Sequence, residues 1–232
     1  MAKQDRSVRT RQKVLEAAAE VFNRMGYQAA TVSDIAVEAG TTKGAVYFHF
    51  KGKEDLAQAI LRRQQQDTEA ALVPQRVKLQ EIADSGLVLA ERLRTDSLVR
   101  ASIRLSLDQQ AGELDRGSAF RDWSRFNLEI LQEAERRGEL LPHVDPVAVA
   151  ELFVGSFSGL QHMSQVLADY ADLPQRVSVL LANVLPSIAV PPVLGALDYC
   201  AERGRLLIAA SERAAGTAPG AAGTPPDGPG TD

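Results

Sequence analysis

Cysteine is nearly missing from this 232-residue chain: Cys200 stands alone. A lone cysteine excludes an intramolecular disulfide, and it reads as a small hydrophobe in a protein of a reducing compartment, the cytoplasm. Long apolar runs are missing too, none approaching the roughly 18 residues of a membrane span. The polar start, Met-Ala-Lys-Gln-Asp-Arg, has no apolar core after it and does not read as a signal peptide. Histidine is scarce, and His49, His143 and His162 fall in different predicted elements without partners at metal-ligand spacing. No G-x-S-x-G elbow and no glycine-rich phosphate cradle occurs, since the glycines of the tail sit beside prolines. An enzyme is therefore not expected, nor a metal, nor a cofactor. Alternating β-branched segments and Asn-Gly turns are lacking as well, which leaves an all-α fold.

What the chain does have is an uneven charge. The net value of −4 suits nucleic acid poorly as a total. Residues 1–62, however, hold ten basic groups against seven acidic ones, or +3, and the remainder carries 16 against 23, or −7. A basic head on an acidic body concentrates attraction for phosphate at one end.

Helical periodicity accounts for most of the sequence. A helix is predicted from Arg6 to Arg24, with Val14, Ala17, Ala18, Val21 and Phe22 on one buried face. A short arm holding Lys3, Arg6 and Arg9 precedes it. A long helix from Lys53 to about Ala71 links head to body. After Pro74 helical spacing continues to Arg213, punctuated at Asp96, Gly112 to Gly117, Gly138 to Pro146, Pro174, Pro186 and Pro191-Pro192. The stretch 214–232, rich in Gly, Pro, Ala and Thr, is expected to be disordered. The division expected is thus 1–52 for the head, 53–213 for the body and 214–232 for the tail.

The most informative segment is Ala39-Gly40-Thr41-Thr42-Lys43-Gly44-Ala45-Val46-Tyr47-Phe48-His49-Phe50. Thr31, with Asp34 three residues later, suits a helix start. Gly40 tolerates the positive φ that ends such a helix, and Thr42 caps a second, short one. That second helix exposes small and polar groups, as a groove-inserted surface requires. Phe48 and Phe50 are expected to pack inward, leaving Tyr47 and His49 outward.

These residues carry a resemblance. From Arg11 to Leu56 the run RQKVLEAAAEVFNRMGYQAATVSDIAVEAGTTKGAVYFHFKGKEDL resembles the DNA-binding domain of the TetR family of repressors. Thr41, where valine is common, and Gly52, where serine often caps, are its two departures. The resemblance implies an N-terminal helix-turn-helix domain followed by a helical ligand-binding and dimerisation domain. It implies that Thr42, Lys43 and Gly44 approach base edges, Lys43 donating to guanine O6 or N7. Tyr47, His49 and Lys53 would hold phosphates, and Thr31 is a further phosphate contact through its hydroxyl and N–H.

The body motifs RLSLDQQ, FRDW and GELLPHV are similar to those of the γ-butyrolactone-type autoregulator receptors within that family. In that subfamily a body tryptophan lines the ligand pocket, and Trp123 in FRDW is the matching position. A lactone needs an apolar cavity with a few polar groups; Gln64, Ser156 and Gln161 are expected to supply them. Gly155 and Gly159 make room either for the ligand or for close packing at a dimer interface. Residues 147–185 are expected to form the bundle of a homodimer. The implied function is a repressor that binds a pseudo-palindromic double-stranded operator, is released by a small hydrophobic lactone-type signal, and controls secondary-metabolite genes. The competing implications are a TetR-type efflux regulator answering to drugs and a pseudo-receptor for antibiotics.

Overall fold

The computed structural model describes residues 2–70, 72–107 and 117–217. Among them lie eleven helices: α1 (Ala2–Ala29), α2 (Val32–Glu38), α3 (Lys43–His49), α4 (Lys53–Ala70), α5 (Lys78–Thr95), α6 (Ser97–Leu107), α7 (Gly117–Arg136), α8 (Pro146–Ala168), α9 (Leu173–Ile188), α10 (Pro191–Leu194) and α11 (Arg203–Thr217). No strand forms among the described residues, and one isolated bridge joins Leu140 to Ala189. The fold is all-α.

Two hydrophobic cores organise it. The first is built by α1 to α4, where Val14, Ala18, Phe22, Ile35, Val46, Phe50, Leu56 and Ile60 are buried together. All five residues expected on the inner face of α1 are buried. The expected arm is not an arm: α1 begins at Ala2, because no glycine or proline interrupts residues 2–25 and Lys, Gln and Arg propagate a helix well. Gly26, at φ 79°, breaks the helix two residues past its expected end at Arg24.

The second core surrounds α5. Leu79, Ile82, Leu87, Leu89 and Leu93 pack against Leu131 of α7, Phe153 of α8 and Leu173, Leu181 and Leu185 of α9. The first half of α5 is secured by polar groups. The buried Glu139 carboxylate accepts from the Lys78 and Leu79 N–H groups (2.9 and 3.0 Å), satisfying donors that the first turn leaves free. Asp84, wholly buried, accepts from Arg203 of α11 (2.5 and 3.0 Å) and from Gln80 (2.7 Å). A buried carboxylate so satisfied pins α11 to α5.

The two cores meet at α6. Its Leu98, Ala101 and Leu105 complete the first core, while Val99 belongs to the second. The Asn23 amide of α1 donates to the Ser97 carbonyl (2.7 Å), and Arg104 donates to the Asn23 carbonyl. One short helix therefore belongs structurally to head and body at once.

Pro186 was expected to punctuate, yet α9 runs through it to Ile188. It lies in the last turn and is exposed, as is Ala182, whose carbonyl it leaves without a helical donor. The helix α11 likewise continues past Arg213 to Thr217, and residues 218–232 of the expected tail lie outside the described residues.

Candidate functional site

The head surface follows from its caps. Thr31 and Asp34 form a reciprocal box: the Thr31 hydroxyl accepts from the Asp34 N–H (3.2 Å), and the Asp34 carboxylate accepts from the Thr31 N–H (3.0 Å) and hydroxyl (2.6 Å). The Thr31 hydroxyl, as the main donor, holds the Asp34 carboxyl below its ordinary pKa. Both groups through which Thr31 was expected to reach phosphate are thus already engaged in starting α2. After α2, Gly40 adopts φ 58° and turns the chain, and the Thr41 N–H donates to the Ala36 carbonyl (2.9 Å). A side chain at φ 58° is strained, which explains the glycine. The Thr42 hydroxyl then accepts from the Ala45 N–H (3.2 Å) and starts α3.

Thr42, the N-cap, and Lys43, Gly44 and Tyr47 of α3 all lie exposed. Val46 and Phe50 are buried, four residues apart on one face. Phe48 sits two residues from Val46, about 200° around the helix, and therefore points outward. It is 80 % exposed, against the expectation that it packs inward, and it stacks edge-on against His49 at 5.0 Å. Tyr47 and Phe48 thus face outward, and His49 is half-buried beside Phe48.

Lys53 opens α4. Its ammonium donates to the carbonyls of Tyr27 (2.8 Å) and Gln28 (3.2 Å) and lies 4.4 Å from the Tyr27 ring centre. Two of its three protons hold the end of α1 against α4, a structural duty beyond the phosphate contact expected of it. Asp55 supports the same corner, accepting from the Lys51 N–H (3.0 Å).

The body contains a cavity walled by α5, α6, α7, α8 and α9, with about 790 Å³ of empty space, its open mouth included. Trp123 lines it, set edge-on to Phe126 at 5.5 Å. Gln161 lines it as well; its side chain is buried, and among the described residues Oε1 has no hydrogen-bond partner. Phe153, Val154, Phe157, Ser158 and Gln161 form the α8 wall, on one face of the helix. Ser156 does not line the cavity: it stands two residues from Ser158, on another face of α8. Ser158 takes the place expected of it, and its hydroxyl donates to the Val154 carbonyl (2.7 Å). The side chain of Gln64 lies outside the described residues.

Gly155 and Gly159 also face away from the cavity. Both are exposed, and a Cβ at either would meet nothing within 4 Å. The outer face around them is apolar, with Leu152 51 %, Val166 70 % and Leu167 67 % exposed on α8 and Val179 53 % exposed on α9.

Sequence reasoning missed Asn127 and the α6 serines Ser102 and Ser106, all of which line the cavity. Asn127 was within reach, since it follows Trp123 by four residues on the same helical face. Nothing local marks the α6 serines, because the neighbour each face of α6 meets is set by the tertiary fold.

Comparison with known proteins places this geometry. Residues 14–60 match the family model of bacterial regulatory proteins of the tetR family, and residues 107–178 match the tetracyclin repressor-like C-terminal domain. The A-factor receptor protein of Streptomyces griseus is 38% identical over 213 residues, covering 92% of this chain and 75% of that protein. This chain belongs to the TetR family. Among solved structures of the family, TylP, a TetR regulator from Streptomyces fradiae, superposes with a TM-score of 0.83 at 41% identity, over 89% of this chain and 99% of TylP. A γ-butyrolactone receptor described as ArpA-like superposes at 0.63 with 25% identity, over 90% of this chain and 98% of that one. The TetR assignment makes the chain a transcriptional regulator and not an enzyme. Among the described residues no helix is long and apolar enough to cross a membrane.

Proposed function

We propose that this TetR regulator is a repressor released from its operator by a small lactone-type signal that binds the cavity beside Trp123. The observation that carries the reading is the position of α6, whose Ser102, Ile103 and Ser106 line the cavity while Leu98, Ala101 and Leu105 pack in the head. A ligand that reshapes the α6 wall also bears on the head. Such a ligand acts as a switch only through different affinities for the two head arrangements. The likeness to receptors named for A-factor and γ-butyrolactone supports the ligand class.

In this reading Thr42, Lys43 and Gly44 meet base edges, and Tyr47 and His49 meet phosphates. Lys53 and Thr31 act mainly by holding the head in shape. The head is residues 1–52, and the body of residues 53–213 is extended by the last turn of α11. The protein works as a homodimer in the cytoplasm, joined through the apolar outer faces of α8 and α9. Gly155 and Gly159 there let backbones approach. Two heads then occupy half-sites about 34–36 Å apart on a pseudo-palindrome. The genes controlled are those of secondary metabolism.

The test is a gel shift on the DNA upstream of the protein's own gene, with an alkyl-substituted γ-butyrolactone and separately with culture extract. The lactone is expected to release the DNA from the wild type and not from Trp123→Ala, which still binds the operator. Equal release of both proteins removes Trp123 from the site. Release by unrelated drugs but by no lactone supports the efflux or pseudo-receptor reading.

A further inference from the structure

Phe48 is a large apolar side chain at a place where the fold makes little use of one. It is 80 % exposed, and its ring contact is edge-on with His49 at 5.0 Å. Buried Val46 marks the inner line of α3, and Gly44 and Phe48 each stand two residues from it, opposite it on the helix. Gly44 and Phe48 therefore form the outermost line of α3, one turn apart on the same side. Where Gly44 lets the backbone approach a base pair, Phe48 is carried toward a point about 6 Å further along the helix axis, or about two base pairs on.

What a phenylalanine recognises there follows from its chemistry. The ring offers no hydrogen-bonding group to a phosphate or to the nitrogen and oxygen atoms of base edges, and covering those atoms costs their hydration. The apolar group that base pairs present in the major groove is the C5-methyl of thymine. Placing the ring on that methyl takes apolar surface of both out of water, and the fold leaves the Phe48 surface free for it. The edge-on contact with half-buried His49 sets the ring in place before DNA arrives. We infer that Phe48 is a specificity-determining residue, which reads one thymine in each half-site by its methyl group, about two base pairs from the pair that Gly44 approaches. This rests on the reading of α3 as the helix that enters the major groove.

The experiment uses the full-length wild type and Phe48→Ala, with fluorescence anisotropy on the shortest fragment of the DNA upstream of the protein's own gene that the wild type binds. Each thymine is replaced in turn by uracil, which removes the methyl and keeps the pairing with adenine. At one thymine per half-site, uracil is expected to weaken wild-type binding about fourfold, and about fifteenfold when both half-sites carry it. Phe48→Ala should bind the thymine fragment at least as weakly as the wild type binds the doubly substituted one, and lose nothing more to uracil. Alanine is the better helix former, so the variant is expected to melt no lower than the wild type, and the uracil scan on the wild type needs no variant at all. Wild-type binding that is indifferent to uracil at every position overturns the inference. A uracil effect of equal size in both proteins also overturns it, because the methyl then acts through DNA shape or another residue. Lys43→Ala on the same DNA tests the reading beneath. If it binds as tightly as the wild type, α3 is not in the groove and the inference falls with that reading. If it binds weakly while uracil is tolerated throughout, the Phe48 inference alone falls.

Discussion

Lys43 and Gln161 stand at opposite ends of the proposed switch, and each is set apart by what it does not touch. Among the described residues Lys43 has no ion-pair partner, and it is exposed at the first position of α3. Replacing it with alanine is expected to weaken operator binding by about 1–3 kcal/mol per half-site, with little change in stability, since nothing in the fold depends on it. Gel shifts and thermal melts of Lys43→Ala check both halves. Gln161 presents the reverse case. Among the described residues its Oε1 meets no donor, and a buried acceptor left unpaired costs about 1–3 kcal/mol. Gln161→Leu should therefore melt higher than the wild type without ligand and gain less from added lactone. A variant that melts lower without ligand contradicts this account of Gln161.

At the scale of elements, α6 is the piece on which coupling depends. It is held to α1 by Asn23 to the Ser97 carbonyl and by Arg104 to the Asn23 carbonyl. Cutting both links in Asn23→Ala/Arg104→Met should leave ligand affinity within about threefold, because neither residue lines the cavity. Release of DNA should then need at least about tenfold more ligand; each tenfold is about 1.4 kcal/mol of lost coupling. Calorimetry and DNA anisotropy on the same double variant separate the two effects. Unchanged release would mean that α4 alone carries the signal. The reason the sequence showed α2 and α3 clearly, but not this role of α6, is physical. Thr31, Asp34, Gly40 and Thr42 act on groups three or four residues away, so their effect can be read locally. Phe48 was misjudged because hydrophobicity does not fix helical phase, and only the burial of Val46 and Phe50 turns it outward. Ser156 was preferred to Ser158 for a like reason: the face of α8 that meets the cavity is decided by α5, α7 and α9. Trp123 and Gln161 were legible because a tryptophan and a glutamine on apolar helices carry polar groups that need a purpose.

For the molecule as a whole, the charge division and the exposed apolar face belong together. A head of +3 on a body of −7 orients one end toward phosphate. The apolar outer face of α8 and α9 supplies a surface through which two such heads can be joined. An aspartate in place of Val166, 70 % exposed at that face, is expected to give a monomer by sedimentation that folds normally and binds operator weakly. A dimer unaffected by it would place the interface elsewhere.

The chain has one tryptophan, and it lines the cavity. Its fluorescence therefore reports ligand entry without a label, and labelled operator reports release in the same cuvette. Linkage requires that DNA weaken the ligand by the factor with which the ligand weakens DNA. The account predicts that Trp123 emission changes as lactone is added, that operator anisotropy falls over the same range, and that saturating operator shifts the tryptophan curve to higher lactone concentration by that common factor. A tryptophan curve that does not move when operator is added would contradict it.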